Sequence, residues 1–95
     1  MKVILLRKDL VRKRIYEVEE DLKKKGYRYL GTVVVGDSNI RYWVREEGDG
    51  KFSLVAVEEW AGFTEVETKE VTEEQLQEIE ERIEERAGVW RRRRP

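Results

Sequence analysis

Cysteine and histidine are both absent from the 95 residues. Their absence excludes disulfides, thiolate and imidazole nucleophiles, imidazole general bases and nearly every zinc, haem or copper site. Only oxygen ligands remain, so the metals left open are hard cations such as Mg²⁺ or Ca²⁺ held by carboxylates. No cofactor is expected. Long apolar runs are missing too: the longest, Val3 to Leu6, is far shorter than the roughly 20 residues that span a bilayer, and no small-residue cleavage site follows it. The expectation is a soluble, cytoplasmic, unexported chain. Side-chain amides are limited to Asn39, Gln75 and Gln77, whereas 43% of residues are charged, far above the roughly 25% of an ordinary globular chain. Such a balance occurs in thermostable hyperthermophile proteins laced with ion pairs. It also suits de novo design, toward which well-capped helices lean and irregular glycines and an arginine run do not.

The apolar fraction, 39%, supplies one core and no more at this length. Residues 1–90 are read as a single α+β domain and residues 91–95 as a basic tail. Asp9 is placed to cap a helix whose stripe Val11, Ile15, Val18 and Leu22 ends at Gly26. From Tyr27 the composition turns β-branched and aromatic, divided by turn residues. A meander of about four antiparallel strands follows: Tyr27 to Val35, Ile40 to Glu47, Lys51 to Trp60 and Phe63 to Val71. A short additional strand is read at Lys2 to Arg7. Thr72 and Gln75 form a capping box for a second helix with stripe Leu76, Ile79, Ile83 and Ala87, closed by Gly88.

Alternation along paired strands puts Tyr29, Val33, Val35, Ile40, Tyr42, Val44, Phe52, Leu54 and Ala56 on one face, which both helices are expected to cover. Leu30, Val34, Trp43, Val55, Val57 and Val66 then share the opposite face with Thr32, Arg41 and Arg45. A second half-apolar face needs a partner, and a symmetric homodimer through those six apolar residues is the leading expectation.

Charge is unevenly spread. Residues 1–45 hold 12 Lys or Arg against 6 Asp or Glu, and residues 46–86 hold 4 against 15. Opposite patches of this kind favour docking within the fold or between copies. In the first helix, Glu19 and Lys23, Glu20 and Lys24, and Asp21 and Lys25 are spaced for solvated i,i+4 pairs.

The alternative expectation is nucleic-acid binding by Arg91, Arg92, Arg93 and Arg94, which release counterions from phosphates without fixed geometry. Arg41, Trp43 and Arg45 alternate on one strand and are spaced to stack and hold a single strand. The helix, three-strand, helix order resembles a double-stranded RNA-binding domain. That family grips phosphate with lysines at the start of its second helix, where this chain has Thr72-Glu73-Glu74. Asp49 with Glu67-Thr68-Lys69 resembles the metal-dependent PD-(D/E)xK nuclease pattern, in which two carboxylates hold Mg²⁺. Glu-x-Lys arises by chance in so charged a chain, and Asp49 suits the Gly48-Asp49-Gly50 turn. A non-enzymatic chain is therefore expected.

Overall fold

A computed structural model describes residues 6–92, with side chains placed for residues 7–83. Five strands, β1 (Leu6–Val11), β2 (Arg28–Val35), β3 (Ser38–Gly48), β4 (Lys51–Trp60) and β5 (Phe63–Thr72), form one open antiparallel sheet. Helix α1 (Ile15–Lys24) lies between β1 and β2, and α2 (Glu73–Arg92) follows β5. The α+β meander of β2 to β5 is as the sequence predicts. Among the described residues no helix is long and apolar enough to cross a membrane.

The spatial order β1-β5-β4-β3-β2 puts the extra strand at an edge. That strand overlaps the expected Lys2 to Arg7 at Leu6 and Arg7 and continues to Val11; residues 1–5 lie outside the described residues. Leu6 pairs with Lys69 and Val11 with Thr64, so Asp9 is a strand residue opposite Val66 and caps nothing. Val11 still faces the α1 core, but from the sheet. Arg14 is the residue that precedes the helix, its N–H donating to the Glu17 carboxylate at 3.2 Å.

The helices take opposite faces, which corrects the expectation that they share one. Val18 and Leu22 of α1 pack on Trp43, Val55 and Val57, whereas Leu76 of α2 packs on Val44, Leu54 and Val71. Topology is the cause: β1 and β2 occupy opposite edges, so the segment joining them must cross one face, and α2 takes the other. The half-apolar second face finds its partner within the chain.

One further detail separates pattern from structure. A β-bulge between Tyr29 and Gly31 shifts the β2 register, so Tyr29 lies opposite Trp43 on the α1 face while Leu30 packs into the α2 core. Each inserted residue reverses the facing of those on its far side.

Two of the four helix termini read from the sequence, the start of α2 and the end of α1, are present. Thr72 and Gln75 exchange hydrogen bonds at 2.9 and 3.2 Å, completing the capping box. Gly26, at φ +91°, ends α1 in a Schellman arrangement: its N–H donates to Lys23 O and that of Tyr27 to Leu22 O, both at 3.0 Å. Gly88, by contrast, lies inside α2 and does not terminate it.

Candidate functional site

The sheet face under α1 gathers most residues singled out from sequence. Trp43, Val55 and Val57 are almost wholly buried there and Val66 is packed against them. Leu30 lies on the other face, and Val34 is 54% exposed near the end of β2. The six apolar residues expected to form a dimer contact are thus not brought together as one open surface, and α1 covers its centre.

A ten-residue helix is too short to be stable alone. Burying Val18 and Leu22 contributes about 1.5–3 kcal/mol each, and polar ties add orientation. Glu19 accepts from Trp43 Nε1 at 2.7 Å and from Arg41 Nε at 2.5 Å. Arg41 also stands 4.6 Å from the Tyr29 ring centroid. Arg45 donates to the carbonyl of Lys25 at 2.8 Å, where α1 has unsatisfied acceptors, and covers the Tyr27 ring at 4.5 Å. At the other end Glu59 of β4 accepts from the Ile15 N–H at 3.3 Å and from Arg14 Nε at 3.1 Å. Thr64, fully buried, donates to Lys13 O at 2.7 Å. The strand arginines and Trp43 are therefore spent on holding α1, and the arrangement is an anchor for a helix in place of an open stacking platform.

The helix charges behave differently from the expected i,i+4 ladder. Glu19 turns inward, Glu20 pairs with Lys23 at 3.3 Å, and Asp21 reaches back to Lys13 at 3.0 Å. Sequence reasoning missed Glu19 as an anchor, although a signal was present. Ile15, Val18, Glu19 and Leu22 follow the i, i+3, i+4, i+7 spacing of a buried stripe, and a carboxylate there requires a donor.

A hollow of about 500 Å³ at the start of α1 is bordered by Arg12, Lys13, Arg14 and the Trp60 to Phe63 turn. Its three cations and helix N-terminus suggest an anion site, but the chain's own Glu17 and Glu59 carboxylates line it and Glu59 occupies that terminus. The hydrogen bond from Ile15 and the Arg14 guanidinium hold the Glu59 carboxyl below its ordinary value.

The carboxylates of the nuclease pattern are not brought together. Glu67 lies opposite Ala56 and within 3.8 Å of Lys8, whereas Asp49, at φ +54°, sits in the β3–β4 turn. Their levels on the sheet differ by about five residues, on the order of 16 Å. No cluster of three metal-ligating side chains occurs among the described residues. Of the arginine run, Arg91 and Arg92 fall in the last turn of α2, and Arg93 and Arg94 lie outside the described residues.

The chain matches no protein-family model, no curated protein and no solved structure.

Among the described residues, the surface carries an apolar concentration at the β1 end of the α2 face. On the α2 face, Leu10 of β1 is 64% exposed and Trp60 of β4 is 47% exposed. Between them Phe63 stacks on Trp60, ring centroids 6.3 Å apart. Glu58 and Glu65 lie directly opposite each other beside this group, with Lys8 reaching Glu65 at 3.5 Å.

Proposed function

We infer that the protein is a non-enzymatic interaction domain whose partner is a second copy of itself, joined at the β1 end of the α2 face. The observation that carries this reading is the pair of exposed residues Leu10 and Trp60 with half-buried Phe63 stacked on Trp60. Single exposed apolar residues are ordinary, but two large ones on one sheet face, with a half-buried aromatic ring stacked on one of them, mark a contact surface. Charge complements the patch. Glu58 and Glu65 are like charges in direct cross-strand register, and of the two Lys8 reaches only Glu65, which leaves Glu58 for a cation from outside. Arg12 lies near the other side of Trp60 and has no ion pair among the described residues, so a two-fold axis through the patch would bring it toward the partner's carboxylates. Sedimentation equilibrium from micromolar to hundreds of micromolar protein tests this reading. Mass should climb from monomer toward dimer, and Trp60→Glu should return it to monomer. A monomeric mass at the highest concentration would overturn it.

A second reading, nucleic-acid binding, is favoured by the end of α2, where Arg91 and Arg92 adjoin two further arginines. Neutralising about four phosphates predicts a log-log salt slope of roughly −3 to −4. Anisotropy of labelled single-stranded DNA and double-stranded RNA, with the full chain and one truncated after Trp90, discriminates the two. A slope near zero removes the nucleic-acid reading.

A further inference from the structure

We propose that the cleft between α1 and β1 binds a small apolar monoanion, a carboxylate on a hydrocarbon or aromatic body. The cleft exists because α1 is tied to one side of its sheet face. Glu19 reaches β3, Glu59 reaches up from β4 and Arg45 reaches up from β3. One helix of about 10 Å diameter cannot fully cover five strands at about 4.8 Å spacing, which are roughly twice as wide, so β5 and β1 are left partly uncovered beside Val66 and Val11, which pack against the α1 core. The uncovered strip is a hollow of about 370 Å³. That is room for on the order of a dozen waters, within the range of small-molecule sites.

Its walls follow from two periodicities. Val18 and Leu22 lie on one stripe of α1 and Lys25 caps its C-terminal end, and the floor is made by Val66 and Thr68, alternate residues of β5. The body of a ligand would rest on valine and leucine. The rim decides its charge. Arg7 is paired with Asp9 at 2.9 Å and Lys13 with Asp21 at 3.0 Å, so both cations are neutralised. Lys25 is the remaining charged group of the lining, and it has no ion pair among the described residues. An apolar floor beneath one unbalanced ammonium selects a single negative head group and disfavours a cation.

This inference is independent of self-association, because the cleft lies on the α1 face and the proposed dimer contact on the other. The experiment is an amide-resolved NMR titration of the full-length Trp60→Glu chain with octanoate, octylamine and octanol as probes. Octanoate should give saturable shifts confined to Val18, Leu22, Val66, Thr68 and their neighbours, with octylamine binding at least about tenfold more weakly. Lys25→Glu, at an exposed position, should weaken octanoate roughly tenfold and favour octylamine. Thr68→Phe should fill the floor and abolish binding of all three. Equal affinity for octanoate and octylamine, unchanged octanoate affinity in Lys25→Glu, or shifts absent or scattered over the surface would each overturn the proposal.

Discussion

Gly31 is where the backbone of β2 and the packing of α2 meet most closely. A Cβ placed there would overlap the Ile83 Cγ2 methyl of α2 while standing 3.6 Å, an ordinary contact, from Ile83 Cβ. Ile83 is 7% exposed and has little room to withdraw. Forcing one methyl into such a contact costs about 1–3 kcal/mol. Replacing a strand glycine returns about 0.5–1 kcal/mol of chain entropy. Gly31→Ala should therefore destabilise by about 1–2 kcal/mol. In an Ile83→Ala background, itself about 2–5 kcal/mol less stable, the offending methyl is gone. There Gly31→Ala should become neutral or stabilising by about 0.5–1 kcal/mol, a reversal of sign. Urea unfolding followed by tryptophan fluorescence reads all four corners of this cycle, with Trp43 as a buried reporter. If Gly31→Ala costs the same in both backgrounds, α2 does not approach the sheet at Gly31 and the argument fails.

Other expectations follow from the α1 anchor. Glu19→Ala should cost about 2–4 kcal/mol, because it removes two hydrogen bonds to a charged acceptor and orphans the Trp43 indole N–H; a loss under about 0.5 kcal/mol in the same urea assay would contradict the anchoring role. Gly26→Ala should cost about 1–2 kcal/mol, since its positive φ burdens any residue with a Cβ. Glu59 gives a pH signature. Its folded value is depressed, so its stabilisation is complete above the ordinary value of 4.5 and is lost as pH falls through the lower folded value. Thermal unfolding from neutral pH into acid should therefore show a shallower decline for Glu59→Gln than for the parent chain, and identical profiles would show that the Ile15 and Arg14 contacts do not form.

Local rules account for the parts of this fold that were legible. The turns within Gly36 to Asn39, at Gly48 to Gly50 and at Ala61-Gly62, the alternation along β3, β4 and β5, the Thr72–Gln75 box and the Gly26 terminus each involve residues a few positions apart, although β3 begins at Ser38, two residues before the expected Ile40. Their chemistry is complete within the segment, so the segment reports it. The candidate site was legible in a weaker sense: Arg41, Trp43 and Arg45 were correctly placed side by side on one face, but what they touch was not.

Position along the chain says nothing of which helix crosses which face, and this is where tertiary structure decided the outcome. A sheet apolar on both sides is equally consistent with two helices on one face and a partner on the other, or with one helix on each. Strand β1 resolves the ambiguity, because its pairing with β5 forces α1 to cross the sheet to reach β2. Asp9 looks like a helix cap until that pairing is known, and Leu30 changes face through a bulge whose effect depends on the neighbouring strand. By itself the sequence determined the strands, the turns and the two apolar faces, whose causes are local; only the tertiary structure decided that Glu19 meets Trp43, that Gly31 admits Ile83 and that Leu10 and Trp60 remain exposed, because those depend on distant residues meeting in space.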